Sequence, residues 1–380
     1  MMNFNKVNVK KNIRNHLTNS RGWSTNRKIV VFESDDWGSI RTPSLSVLTK
    51  LRKDGYAVES CNYMLNDALE SESDLTNLFE VLSSRKDING NSSKFTANTI
   101  VANPDFKKIQ DSNFQEYFFE PFIETYKRYP SHSESFDVFT EGIRENIFKP
   151  QLHGREHLNI SRWMNDLKSN VPETHDTFKL EMFGLSAHIS KIKRGSYQAA
   201  FDGGVKELTY NHNEILFDAC QLFEKIFSHK SKSFISPNYI WNDAIEKCLS
   251  NFGVDYIQGS STQKISKDYS EKLQVKRHYT GQKNNFHQTY LVRNCSFEPS
   301  LENRQHVADC LSQISNAFFW GKPAIISSHR VNYIGFLNPK NADKSLKILN
   351  ELLLAIIKKW PTVEFMFSDE LGDLINNPKV

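Results

Sequence analysis

Short β-rich runs alternate with amphipathic segments along almost the whole chain, and this alternation restricts the fold more than any other feature. Candidate strands are Lys28–Glu33, Phe95–Ala102, Lys149–His153, Ser233–Ser236, Val254–Gly259, Thr289–Asn294, Ala324–Ser328 and Val363–Ser368. Between them, DLTNLFEVLSSRK, NEILFDACQLFEKIFSHK, NRQHVADCLSQISNAFFW and KSLKILNELLLAIIKKW carry apolar residues near a 3.6-residue period. PSLSVLTKLRKDG predicts a helix with Thr42 as N-cap, Pro43 at its first position and Gly55 past its end. Strands alternating with helices imply an α/β fold with a parallel sheet. Seven or eight such units over about 350 residues predict a distorted (β/α) barrel of seven or eight parallel strands. No Gly-rich phosphate loop follows the first run, which argues against an open dinucleotide-binding sheet.

Residues 1–27 read as an N-terminal extension and 28–380 as the barrel, with helical or loop insertions around 104–148 and 158–230. Those insertions are expected to lie over one barrel face. A net charge of +4 and a pI near 8.6 are too weak to argue for nucleic acid. The five cysteines are odd in number and lack metal or redox spacing, which fits a reduced, intracellular chain. The first residues are polar and basic without an apolar stretch of the secretory kind. No run reaches the roughly 20 apolar residues of a membrane span. The expectation is a cytoplasmic protein.

Three motifs stand at predicted strand ends, where barrels of this type place their chemistry. The first is ESDDWG, in which Asp35 and Asp36 follow the first apolar run directly. A bound cation would relieve their repulsion while leaving one carboxylate free; an Asp-rich turn is the plainer alternative. The second is QLHGREHLN, with His153 and His157 four residues apart, close enough on a helical turn to chelate a divalent metal. With 12 His in 380 residues, roughly 0.4 such pairs arise by chance, so this motif needs the other two. The third is AIISSHR, where His329 ends an apolar strand and could act as a general acid or base. Asn103 and Asp105 in VANPDF fit a turn, and His188 fits a structural role better than a substrate contact.

Together, and in this order, these parts resemble the polysaccharide deacetylases, carbohydrate esterase family 4. ESDDWG is similar to that family's Thr-Phe-Asp-Asp-Gly motif, HGREH to its His-Ser/Thr-x-x-His motif, and IISSHR to its late Leu-x-His motif. The resemblance implies Asp35 as base, Asp36, His153 and His157 as ligands of a divalent metal, expected to be zinc, and His329 as acid. The pattern departs from the family at Trp37, which precedes the expected Gly, and at Gly154. SFISPNYIW keeps Pro237 and Tyr239, but Ile235 stands where the family has the Arg that fixes its base. A distant, elaborated branch is implied.

The activity so implied is hydrolysis of an N- or O-acetyl group on a saccharide. A backbone N–H near Pro237 or Tyr239 would help hold the oxyanion. Trp37, Pro237, Tyr239, Trp241, Arg330 and Tyr333 adjoin the motifs and are candidate substrate contacts. Two alternatives stay open: a metal hydrolase of a non-sugar C–N bond on the same barrel, and an inactive barrel that only binds glycan.

Overall fold

The computed structural model describes residues 15–203, 210–266, 272–302 and 304–377. Its centre is a nearly closed barrel of parallel strands: β1 (Lys28–Trp37), β2 (Phe95–Thr99), β3 (Phe148–Leu152), β4 (Ser233–Ile235), β5 (Tyr256–Ser260), β6 (Thr289–Arg293), β7 (Cys295–Ser296), β8 (Ala324–His329) and β9 (Val363–Phe365). Hydrogen bonding runs β6-β5-β4-β3-β2-β1-β8-β7, and β9 pairs with the start of β1. Only Asn294 separates β6 from β7, so one stave forms both ends of this path. Its N–H donates to the Ile325 carbonyl (3.1 Å) and its Oδ1 accepts from the Ile325 N–H (2.9 Å). Counting that stave once, the barrel has eight strands, all parallel, as the alternating pattern predicts.

Parallel strands are covered on both faces, so their residues are apolar in both directions. Val30 and Phe32 of β1 pack outward with Phe95, Ala324, Ile326 and Phe365 under the helices. Ile29 and Val31 point the other way, into a cluster with Tyr256, Leu291, Ile325 and Leu371. Leu371 belongs to the last helix, Ser368–Asn376, which packs against the N-terminal ends of these strands. The opposite, C-terminal ends are left for the site.

Predicted helices occur at Glu72–Ser83, His212–Phe227, His306–Phe319 and Pro339–Lys359. The helix after β1 is Leu45–Lys53, two residues later than predicted. Its cap is Ser44, whose Oγ accepts from the Val47 N–H, because Thr42 is turned to the Met64 carbonyl. The segment between β2 and β3 holds a hairpin, Ala102–Pro104 with Phe119–Pro121, and three short helices. Residues 22–25 lie along the barrel, with Trp23 N–H bonded to the Thr280 carbonyl and Thr25 N–H to that of Gly321. Among the described residues no helix is long and apolar enough to cross a membrane.

A buried ion cluster fastens the mouth of the barrel. Arg330, fully buried just past β8, donates to Asp67 Oδ1 and to Glu70 Oε2 (2.6 Å). Glu70 Oε1 in turn accepts from the Gly38 N–H (2.8 Å) and the Tyr126 hydroxyl. Gly38 has φ +80°, and a Cβ there would sit 2.8 Å from the Ile100 carbonyl oxygen, so glycine is required at the turn that follows Asp36. Arg330 is therefore a structural residue that holds this turn, and not a substrate contact. Removing one partner of a buried cluster leaves uncompensated charge. Arg330→Ala should lower stability by about 3–5 kcal/mol, read as a shift of the urea midpoint. An unchanged midpoint would contradict the role given to this cluster.

Candidate active site

β1 extends through both aspartates to Trp37 instead of stopping at Glu33. Its pairing with β2 is irregular between Ser34 and Trp37, and Asp36 takes φ +78°. A left-handed residue is uncommon outside glycine, with Asp and Asn the usual exceptions. This break in the pleat turns the two neighbouring carboxylates toward different partners.

Asp35 is clamped. Arg293, at the end of β6, donates from its two terminal nitrogens to Asp35 Oδ1 (2.6 Å) and Oδ2 (2.8 Å). Its Nε donates to Glu33 Oε2 (2.6 Å), and Asn98 Nδ2 donates to Asp35 Oδ1 (2.7 Å). Burial alone would raise the Asp35 carboxyl, but the Arg293 guanidinium outweighs it and holds the group below the usual carboxylate range. The guanidinium that Ile235 cannot provide thus comes from a different strand. Sequence reasoning did not single out Arg293; the signals that could have found it are a lone cation ending an apolar run and the need of Glu33, inside β1, for a partner.

Asp36 faces the histidines. Its Oδ1 lies 3.4 Å from His153 Nε2 and 3.5 Å from His157 Nε2. His153 follows β3 directly, its N–H bonded to the Thr99 carbonyl. Residues 153–157 form a loop and not the helical turn their spacing suggested. Gly154 has φ +101°, which lets this loop bring the two imidazoles to a ring separation of 5.0 Å. The loop is pinned by Arg155, which donates to Glu156 (2.8 Å) and Asp218 (2.5 Å) and lies over the Phe119 ring.

These three side chains fit a metal. Each offers one ligand atom, and the atoms lie within 4.8 Å of one another. His153 Nδ1 meets the Ile235 carbonyl at 2.9 Å, and a carbonyl only accepts, so Nδ1 carries a proton and Nε2 is the ring nitrogen left to face a metal. That Nε2 is buried without a hydrogen-bond partner. Burial pushes the His157 imidazole down to about 4, which keeps it neutral at ordinary pH, as a ligand must be. The backbone of Ile235 therefore orients a ligand histidine where its side chain departs from the expected motif.

His329 closes the opposite side. Its Nδ1 bonds Glu298 Oε1 (2.7 Å), and its Nε2 lies 3.7 Å from Asp35 Oδ2. Asn332 Nδ2 steadies the other Glu298 oxygen (2.6 Å). Burial would lower the imidazole, but the Glu298 carboxylate outweighs it and holds the group well above its ordinary value. Sequence reasoning did not single out Glu298.

Asp35, Asp36, His153, His157 and His329 line one cleft of about 540 Å³, together with Arg41, Tyr63, Ser186, His188, Asn238, Tyr239 and Lys264. His188, read from sequence as structural, is thus part of the wall. Of the candidate substrate contacts, only Tyr239 lies in this lining. Asn238 and Tyr239 both take φ near +58° (57° and 59°), which swings the Tyr239 hydroxyl to within 3.2 Å of Arg293. Trp37 is buried edge-on against Phe148, with its N–H on Ser34 Oγ. Trp241 is buried with its N–H on Glu246 (2.8 Å). The Tyr333 ring packs on Phe95 and its hydroxyl on Ser328 Oγ. Pro237 is buried and outside the lining, and it has no N–H; the Tyr239 N–H donates to the Ser236 carbonyl (3.0 Å). Asn103 and Asp105 are structural: Asn103 brackets Gly38 and Ile40, and Asp105 caps the helix Phe106–Asp111.

No family model matches this sequence, and no curated protein matches it. Solved structures do. A chain assigned as a polysaccharide deacetylase from Mycobacterium smegmatis is 11% identical, with 95% of this chain and 94% of that one covered and a TM-score of 0.44. The Xyl-CE4 domain of a multidomain xylanase from the hindgut metagenome of Trinervitermes trinervoides is 12% identical over 93% and 94%, with a TM-score of 0.38. Puue allantoinase is 7% identical over 94% of each chain, with a TM-score of 0.42. Polysaccharide and peptidoglycan deacetylases recur among these similar structures. At such identities the chemistry has to be read from the side chains.

The Glu298 contact makes a prediction about His329. Replacing the carboxylate by an amide removes the negative charge that favours the imidazolium, while burial still opposes it. Glu298→Gln should therefore lower the His329 pKa, measured by NMR titration of the ring. A pKa unmoved or raised would show that Glu298 does not set it.

Proposed function

We propose that this protein is a metal-dependent hydrolase that removes acetyl groups from a saccharide. One observation carries the reading: a three-ligand metal cradle and a separate carboxylate–imidazole pair face the same cleft. Asp36, His153 and His157 would hold the ion, and two nitrogens with one carboxylate favour zinc. A divalent ion bound there supplies Lewis-acid polarisation of an acyl carbonyl and lowers the pKa of a water molecule.

The remaining steps belong to the protein. Asp35, kept ionised by Arg293, accepts the proton of the attacking water. Oδ1 accepts from Arg293 and Asn98 and Oδ2 from Arg293 alone, which fixes the carboxylate plane and leaves Oδ2 with a lone pair to accept that proton. His329, kept protonated by Glu298, delivers a proton to the departing nitrogen or oxygen. Its Nε2 is the nitrogen nearer Asp35, so donor and acceptor stand side by side across one reaction centre. The carboxylate base and the imidazolium acid are two groups whose surroundings drive their pKa values apart, as acid–base pairs need.

The substrate proposed is a small or precursor saccharide met in a reducing, cytoplasmic compartment. All five cysteines are free, and three of them are buried.

His157→Ala should sharply reduce bound zinc by elemental analysis, since two ligands bind far more weakly than three; unchanged metal would remove His157 from the cradle. Asp35→Asn should keep its metal and lose at least about 10²-fold in turnover, followed as acetate release from N-acetylated mono- and disaccharides. Metal lost from Asp35→Asn would mean that the two aspartates have exchanged roles. Release from long polymers alone, or protein recovered outside the cytoplasm, would overturn the substrate and compartment parts of the reading.

A further inference from the structure

Arg41 is a buried cation in the cleft wall that the chemistry above does not use. It is only 6% exposed, yet it lines the same cleft as the metal cradle. Its guanidinium sits between the rings of Tyr63 and Phe183, at 5.4 and 5.7 Å from their centroids. Among the described residues it makes one side-chain hydrogen bond, from a terminal nitrogen to Ser186 Oγ (3.0 Å), and no ion pair. Its Nε is buried without a partner. Of the carboxylates nearby, Asp67 is bonded to Arg330 and Asp35 to Arg293, Asp36 belongs to the metal cradle, and none forms an ion pair with Arg41.

A guanidinium has five N–H donors in a planar fork. Burying its charge without a counter-ion costs several kcal/mol, so such groups are ordinarily paired. The two aromatic faces hold the plane in place but supply no anion. Lys264 adds a second positive charge to the lining, from the hairpin that follows β5. Among the described residues no carboxylate pairs with either of these two cleft cations.

We propose that Arg41 is a specificity residue that binds an anionic group on the saccharide, so that the substrate class is an acetylated acidic sugar. This rests on the deacetylase reading for the word saccharide, but the anion site stands on Arg41 itself. A fork of this shape pairs with either a carboxylate or a phosphate. The anion would come from an acid function on the ring or from a phosphate ester.

The test is calorimetric binding to the zinc-loaded protein. The probes are N-acetylglucosamine, N-acetylglucosaminuronic acid and N-acetylglucosamine 1-phosphate. At least one charged sugar should bind ten-fold or more tightly than the neutral one, and which one does names the source of the anion. Arg41→Met should abolish the preference and leave the neutral sugar within about two-fold, while Arg41→Lys keeps part of it. The preference should also shrink with added salt in the wild-type protein, a readout that needs no variant to fold. Equal binding of charged and neutral sugars, or a preference that survives Arg41→Met, overturns the proposal. A preference with no acetate released from any probe keeps the anion site and instead defeats the deacetylase reading.

Discussion

The Arg293 guanidinium lies between Glu33 and Asp35 and makes three hydrogen bonds of 2.6–2.8 Å to their carboxylates, deep in the barrel. Each carboxylate alone would be unaffordable at that depth, and so would the guanidinium. Held together they become a rigid unit. Ser368 Oγ donates to the second oxygen of Glu33 (2.7 Å), and Asn98 to Asp35, so the unit is tied to the last helix and to β2 as well.

The adjacent aspartates need separate environments, and the backbone provides them. The irregularity after Ser34 and the left-handed Asp36 turn one carboxylate to a cation already present and the other to a pair of imidazoles. The same carboxylate chemistry therefore has two uses. A regular strand would also place neighbours on opposite faces, but it would send one of them into the apolar layer beneath the helices.

Much of this was legible in the sequence. Alternation of strands and helices is a long-range pattern repeated eight times, so local errors average out and the barrel emerges. The five polar residues ending β1, β3 and β8 converge because parallel strands bring all their C-terminal ends to one face. What failed was inference from adjacency. Trp37 and Arg330 each follow a cleft residue directly, but the backbone turns at both places: Trp37 packs on Phe148 after the irregularity at Asp36, and Arg330, in the tight turn just past β8, reaches Asp67 and Glu70. Arg41 reaches the cleft from the loop just after β1, Tyr63 from the short helix Asn62–Asn66 and His188 from a turn far along the chain, and none of these segments has a periodicity that reports direction. Ile235 misled because the fold uses its carbonyl, which every residue type has.

The clamp on Asp35 spans 258 residues of chain and the one on Glu33 spans 260, across the seam where β6 runs into β7. Closing so long a loop carries an entropic cost that grows slowly with length but must be met before the contact forms. Until residue 293 is in place, β1 carries two carboxylates without a counter-ion, and water is the better environment for them. An N-terminal fragment that stops short of the seam is thus held back from burying its first strand. The base is therefore tied to closure: Asp35 gains its counter-ion only when the stave that carries residue 293 has joined the ring.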